Sequence, residues 1–536
     1  MPTNDLMKNR PSRIIGKGWG KWGSMMIWFP LLMVLPAFDD ACTAADGEHE
    51  DTEQVQILYT ADIHGVMRGK ESGQGGALQL ASLIRRRRSS FGSARTLLVD
   101  CGDTCQGSLV TALSDGGAGV AFLEELNYEV WVPGNHDFDF GFDRFEQLRQ
   151  RIDAHVLAGN LRCQAHKESR CFDQWRLFSR SGVKLAIIGA TARRLNHIGR
   201  DGKSRGYRIA SLEQYLKNVL PEVLAEEPDV IVLALHQGYS YGKPSGRKRI
   251  RRTAKHFPAI DLILGGHTHR RIPGRRIGRS TWYVQAGAYA NMLGVAVVTV
   301  NMDKGRISDV ESRLFRVRED SKVDEKAETK LRKYLDKAQA ARSNVLGRLK
   351  RDLSSEGVPG RSCGTSELIS RAVQKRVDVD AAIFGRCTEK SLTSGKVTQA
   401  DVFELIPYEN RVVVVTLERT ALVRILEEQR RRETDYASCG LYGLYARFNS
   451  DNHLRELKWP DGEIVSGEER LKVAFSSYTV AVAEDRFPEL HSVLTETEAR
   501  MRMTDHGTRE VVKSFLEQHP GAVGFPVRRW IRTASE

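Results

Sequence analysis

The stretch Val130-Trp-Val-Pro-Gly-Asn135-His136-Asp-Phe-Asp139 runs from an apolar strand through a Pro-Gly break into an amide, an imidazole and two carboxylates. A β-run ending in glycine and polar groups delivers a site at its carboxyl end, where open α/β sheets place their ligands. Four other segments repeat the form. Asp62-Ile-His64-Gly follows the run Val55–Tyr59, and Gly102-Asp103-Thr-Cys-Gln-Gly-Ser108 follows Thr96–Val99. Leu235-His236-Gln-Gly238 closes Val230–Leu235, and Gly266-His267-Thr-His269 follows Leu262–Leu264. Loops from five strands can therefore converge on one crevice.

Further strands are expected at Leu185–Ile188, Trp282–Gln285 and Val295–Val300, with helical segments such as Gly76–Arg88 and Asp143–Ile152 between them. This alternation is the pattern of an α/β domain, placed at residues 52–317. Residues 321–347 are charged, lack proline and end at Gly347. They predict one exposed helix stopped by glycine, the core of a linker spanning 318–347. A second α/β domain is expected at 348–533, with strands at Val412–Leu417 and Leu471–Phe475 and helices at Ser366–Gln374 and Arg419–Glu428. A chain of 536 residues is too long for one ordinary core, which agrees with two domains.

Hydrophobic residues at 41% and charged residues at 28% exclude a disordered or membrane-embedded chain. The net charge of +13 favours anions in general and selects no class among them. Arginine clusters at Arg85–Arg88, Arg247–Arg252, Arg270–Arg276 and Arg430–Arg432 lack the interleaved aromatics of a single-strand platform and read as solvated surface. Residues 1–45 read as an export signal: Lys8, Arg10, Arg13, Lys17 and Lys21 precede an apolar run, Ser24–Phe38, and small residues follow at 43–45. That run is short for a spanning helix, which needs about 20 residues. An uncleaved N-terminal anchor is the alternative. The expected location is periplasmic or extracellular. In an oxidising compartment Cys163 and Cys171 are the most tempting disulfide pair, and no C-x-x-C zinc spacing occurs.

Carboxylate, imidazole and amide oxygen suit a pair of divalent ions, with zinc, manganese, iron, magnesium and cobalt all open. Glycine beside each ligand lets the backbone turn tightly and approach an ion or a phosphate. Two such ions about 3.5–4 Å apart clamp a phosphoryl oxygen and draw a nucleophile from water.

Taken in order, the five clusters resemble the calcineurin-like metallophosphoesterase superfamily. Asp-x-His-Gly, Gly-Asp-x-x-Gln-Gly-Ser and Gly-Asn-His-Asp-Phe-Asp are similar to the 5′-nucleotidase and UDP-sugar hydrolase family within it. The resemblance implies an N-terminal four-layer αββα sandwich, a linker helix and a C-terminal 5′-nucleotidase-type α/β domain. It implies that Asp62, His64 and His269 hold one metal with Asp103. Asn135, His236 and His267 hold the other, with Asp103 bridging. His136 then stabilises charge on phosphate, with Asp139 orienting its ring. Asp137 reads as a local capping carboxylate.

The second domain of the family recognises the leaving group, and here its signature is altered. Phe384-Gly-Arg-Cys-Thr-Glu-Lys390 lacks the family asparagine, leaving a shifted Arg386 as the arginine. Pro407-Tyr-Glu-Asn410 is family-like. The Gly-Gly-Asp turn is replaced by Ala483-Glu484-Asp485, with Tyr478 and Tyr436 as stacking candidates and Arg361 near a phosphate-contacting position.

The activity implied is hydrolysis of nucleotides or related phosphate esters, of 5′-nucleotidase, UDP-sugar hydrolase or 2′,3′-cyclic phosphodiesterase type. The expected partner is a small phosphate ester, with no specific nucleic acid and no obligate protein partner. A thiosulfohydrolase-like enzyme is a competing expectation, but that group replaces Gly-Asn-His with a Gly-His-Trp pattern. A non-catalytic secreted binding protein is the other, and it would be favoured by lost ligands, of which none is lost.

Overall fold

The structure is a computed structural model. It describes residues 51–69, 75–163, 172–193, 195, 207–239, 244–356, 363–408, 410–431, 439–496, 501–519, 522–523 and 531–533. The expected export signal therefore lies outside the described residues, as do Arg361, Tyr436 and the Cys163–Cys171 pairing.

Two six-stranded sheets make the first half. The first has the order β14-β13-β1-β2-β3-β4, built from β1 (Thr52–Thr60), β2 (Thr96–Asp100), β3 (Val130–Trp131), β4 (His155–Val156), β13 (Met292–Asn301) and β14 (Arg306–Arg316). The second has the order β11-β12-β10-β9-β7-β6. Its strands are β6 (Trp175–Arg180), β7 (Val183–Ala190), β9 (Val230–Leu235), β10 (Leu262–Gly265), β11 (Arg271–Arg276) and β12 (Trp282–Ala286). β5 (Leu161–Cys163) and β8 (Tyr207–Ile209) form a separate antiparallel pair.

Alternation within the strands decides the layers. Val55, Ile57 and Tyr59 of β1 face Leu185, Val232, Leu264 and Val284 of the second sheet in one shared core. The opposite face of the first sheet, with Leu58, Leu98 and Trp131, is covered by helices Ala77–Phe91, Gly117–Glu125 and Phe142–Arg149. The outer face of the second sheet, with Ile188, Leu233 and Ile263, packs on helices Leu212–Leu224 and Pro244–His256. The result is the expected αββα sandwich. β1, β2 and β3 are parallel, as are β7, β9 and β10, so the carboxyl ends of both central strand sets reach one edge of the sandwich. Arg85 and Arg88 are structural ties here, bonded to Glu125, Asp324 and Glu129 rather than only solvated.

The linker differs from expectation. Its helix runs over Glu325–Ser343, opened by Asp324, whose side chain accepts from the Ala327 amide. Gly347 is no helix stop: it lies in the strand Val345–Leu349, which pairs antiparallel with Gly395–Thr398. Nor is the helix simply exposed. Ala327 and Leu331 join the core of the sandwich, while Ala338 and Ala341 pack with Leu109, Ala400 and Phe403. Small residues let it lie close to both halves, which a hydropathy count undervalues.

The second half centres on a five-stranded sheet containing Ala381–Gly385, Arg411–Glu418 and Arg470–Ser476, with a core on each face. The expected helices here are Gly364–Arg376 and Arg419–Arg431. Residues 483–485 are not a turn: Ala483–Arg486 is a short helix. Among the described residues, no helix is long and apolar enough to cross a membrane.

Candidate metal centre

Each polar cluster sits on the loop leaving its strand, three from the first sheet and two from the second. The backbone there is strained in a consistent way. Asp62, His64, Asp103, His267 and His269 all adopt left-handed conformations, with φ of 54°, 50°, 58°, 70° and 55°. Non-glycine residues avoid this region, and such strain concentrates where the surrounding structure over-determines a site.

Two carboxylates impose the loop shapes from beneath. Asp137 accepts the backbone amides of Asp103, Thr104, Cys105 and Gly134 at 2.8, 3.0, 2.8 and 2.7 Å. It thereby ties the loop after β2 to the loop after β3. Asp100 accepts from Thr60, Thr104 and the Gly102 amide. Burial outweighs these bonds and pushes the Asp100 carboxyl up to about 7. Gly134 is obligatory, because a Cβ there would lie 2.2 Å from Asp103 Oδ1 and 2.6 Å from His236 Cε1.

Six of the seven expected ligands fall into two groups. Ligand atoms of Asp62, His64 and His269 lie within 4.8 Å of one another, and so do those of Asp103, His236 and His267. Asp103 stands between the groups: Oδ2 is 3.1 Å from His236 Nε2 and 3.9 Å from His64 Nε2. Its Oδ1 accepts the His136 amide at 2.7 Å. Asp62 is anchored by the His267 amide, 3.0 Å from both carboxylate oxygens.

The hydrogen bonds fix which histidine nitrogens are free to bind a cation. His64 Nδ1 lies 3.0 Å from the Gln106 carbonyl, to which it can only donate. That leaves Nε2 as a bare lone pair, 3.1 Å from His269 Nε2. His236 Nδ1 likewise donates to the Cys101 carbonyl at 2.6 Å, turning its Nε2 towards the Asp103 carboxylate. A neutral His236 thus aims a lone pair at the Asp103 carboxylate 3.1 Å away, and two acceptors facing each other need a cation between them, either a proton or a metal. The buried Asn135 Oδ1 has no partner among the described residues. A carbonyl oxygen left dry in this way costs about 1–3 kcal/mol unless a ligand meets it. The donor set therefore fits a pair of divalent ions.

The electrostatics divide the histidines. Burial, aided by neighbouring imidazoles, pushes His64 down to about 3 and His269 down to about 4, so both rings are neutral at pH 7. Burial also opposes charge on His236, but Asp103 and Asp62 overrule it and raise it to about 10. His136 follows the same logic: burial disfavours its cation, yet Asp139 and Asp103 hold it up at about 9. The His136 Nδ1–Asp139 Oδ2 contact is 2.7 Å.

Two aromatic residues complete the rim, and sequence reasoning assigned neither. Tyr289 lies 5.5 Å from His64 and 5.2 Å from His269 between ring centroids, and its amide donates to the Asp62 carbonyl. Tyr408, from the second half, stacks on His136. Its Pro-Tyr-Glu-Asn segment was visible, but nothing local indicated where the ring would point. Tyr478 is 46% exposed, and its hydroxyl accepts from Arg486 at 2.9 Å. Arg386 is half-buried and donates to the Ser355 carbonyl. Asp485 lies on the short helix Ala483–Arg486.

Residues 55–271 match the calcineurin-like phosphoesterase family, and residues 339–492 match the 5′-nucleotidase C-terminal domain. Protein UshA of Yersinia enterocolitica is 23% identical over 524 residues, covering 88% of this chain and 92% of that protein. The 5′-nucleotidase of Vibrio cholerae is 24% identical over 455 residues, covering 76% and 80%. A 5′-nucleotidase precursor from Thermus thermophilus shares the fold, with a TM-score of 0.65 at 20% identity over 90% of this chain and 100% of that one.

Proposed function

Since the chain belongs to the 5′-nucleotidase and UDP-sugar hydrolase family of the calcineurin-like metallophosphoesterases, we propose that it hydrolyses nucleotides or closely related phosphate esters at the edge of the sandwich. The observation that carries this reading is Asp103, whose carboxylate stands between two sets of ligand atoms and also fixes the His136 backbone.

Asp62, His64 and His269 are the proposed ligands of one ion, and Asn135, His236 and His267 of the other, with Asp103 shared. Zinc, manganese, iron, magnesium and cobalt all suit such donors. Bound there, the ions would supply positive charge for the phosphoryl oxygens and an acidified water. The chain's own residues do the rest. Neutral His64 and His269 present lone pairs without a competing proton. His136, kept cationic by Asp139, offers an N–H and a positive charge to a phosphoryl oxygen as negative charge develops. Tyr408 and Tyr478 are proposed as walls for an aromatic leaving group, with Arg386, Asp485, Arg361 and Tyr436 as further leaving-group contacts. Export is proposed from the basic and apolar pattern of residues 1–45.

The test is phosphate release by the chain lacking residues 1–45, with manganese or zinc added. AMP, UDP-glucose, 2′,3′-cyclic AMP and bis(p-nitrophenyl) phosphate form the panel, with Asp103→Asn and His136→Ala as controls. Turnover of a nucleotide that both substitutions suppress supports the reading. Absence of turnover with both ions bound overturns it.

A further inference from the structure

Gln106 occupies the middle of Gly102-Asp103-Thr-Cys-Gln-Gly-Ser108, yet it is neither a ligand nor a capping group for its own loop. It is fully buried and makes two contacts of different kinds. Its backbone carbonyl receives His64 Nδ1–H at 3.0 Å, which fixes the tautomer of that ring. Its side-chain amide donates from Nε2 to the Pro407 carbonyl at 2.7 Å, across 301 residues of chain. The direction of the amide is fixed chemically, since a carbonyl can only accept and the flipped amide would face it with oxygen. Gln106 Oε1 has no partner among the described residues, so Pro407 is the side chain's polar tether.

Pro407 immediately precedes Tyr408, the ring stacked on His136. From its own half this loop is held by Arg509, whose Nε donates to the Ile406 carbonyl at 2.8 Å and Nη2 to Pro407 at 3.3 Å. The Pro407 oxygen thus uses both lone pairs, one towards each half of the molecule. The bond from Gln106 is short and half-buried, and it comes from the residue that also orients His64.

We propose that Gln106 is a positioning residue that seats the Tyr408 loop of the C-terminal half against His136, and so sets the affinity for substrates with an aromatic leaving group. The proposal rests on the nucleotide-hydrolase reading above. Its chemistry separates two functions in one residue: the backbone serves the metal ligands, and the side chain serves the leaving-group wall. A side-chain substitution should therefore leave the ligands intact.

Gln106→Met keeps the buried length and removes the donor. The readouts are manganese stoichiometry, hydrogen exchange of residues 408–412, and kinetics with AMP against ribose 5-phosphate, the same sugar phosphate without a base. Expected are unchanged manganese binding, faster exchange at 408–412, and a KM for AMP raised about tenfold, the factor of one lost hydrogen bond. Ribose 5-phosphate kcat/KM should stay within about twofold. Gln106→Glu, which sets a carboxylate against the Pro407 carbonyl, should give the same pattern and stands in if the Met variant does not fold. Unchanged exchange, an unchanged KM for AMP, or loss of manganese with equal loss on both substrates would each overturn the proposal. If the wild-type chain turns over neither ester, the nucleotide reading fails, and the exchange measurement alone decides the role of Gln106.

Discussion

Tyr408 lies over His136 with ring centroids 5.6 Å apart and planes inclined by 30°, a stack made between the C-terminal half and the loop after β3. The phenol is 40% exposed, so one face is covered by the imidazole while part of the ring remains open at the mouth of the metal centre. An aromatic leaving group departing from a phosphate beside His136 would meet that ring. Stacking contributes about 1–3 kcal/mol per base, so Tyr408→Ala should raise the KM for AMP about 5- to 150-fold. Tyr408→Phe should restore it. Equal loss on ribose 5-phosphate would show instead that Tyr408 acts on the His136 ring.

Asp137 gathers four backbone amides from two loops. Asp137→Ala leaves those buried donors unpaired, each costing about 1–3 kcal/mol. The loops after β2 and β3 then lose their common anchor. The expected outcome is a large fall in Tm together with loss of bound metal, although Asp137 touches neither set of ligand atoms. Retained metal content in a folded Asp137→Ala protein would count against a shaping role for this carboxylate.

What the sequence disclosed and what it hid divide along the range of the interactions. The candidate ligand clusters were legible because each carries its chemistry within a few residues of a strand end; the structure gathers six of those seven side chains into two groups and leaves the buried Asn135 Oδ1 without a partner among the described residues. Asp137 was legible as a cap, though not as one joining two loops. Gln106 and Pro407 were not legible as partners, since their link spans 301 residues and depends on how the halves meet. The linker helix was read too long for a related reason. Gly347 pairs in a strand with residues 395–398, a non-local bond that overrides glycine's local tendency to end helices. Ala483–Arg486 shows the converse: without the glycines of the family turn, a helical turn forms.

Gly134 offers a steric test of the shared carboxylate. A single methyl there would collide with Asp103 Oδ1 at 2.2 Å and with His236 Cε1 at 2.6 Å, both nearly inaccessible to solvent. Neither neighbour can retreat, because Asp103 is fixed by the His136 amide and His236 by the Cys101 carbonyl. Gly134→Ala should lower manganese affinity at least about tenfold and reduce activity in parallel. Excess metal should partly restore turnover, whereas a general folding defect would not respond to metal.

The pH dependence should expose the His136–Asp139 pair. Burial works against the imidazolium, but the carboxylates of Asp139 and Asp103 raise His136 from its ordinary value near 6.5 to about 9. A histidine raised in this way contributes stability that is fully present below its unfolded value and is lost as pH rises through the folded one. In the proposed role the same cation faces the phosphoryl oxygen, so activity should hold through neutral pH and fall as pH rises through about 9. Asp139→Asn keeps the Nδ1–H acceptor but removes the charge, which should move the alkaline limb to lower pH. His136→Ala should abolish that limb and lower kcat by about 10²–10⁴, the range for a proton-donating group acting in the transition state. A kcat profile whose alkaline limb is the same in wild type and Asp139→Asn would show that another group limits turnover at high pH.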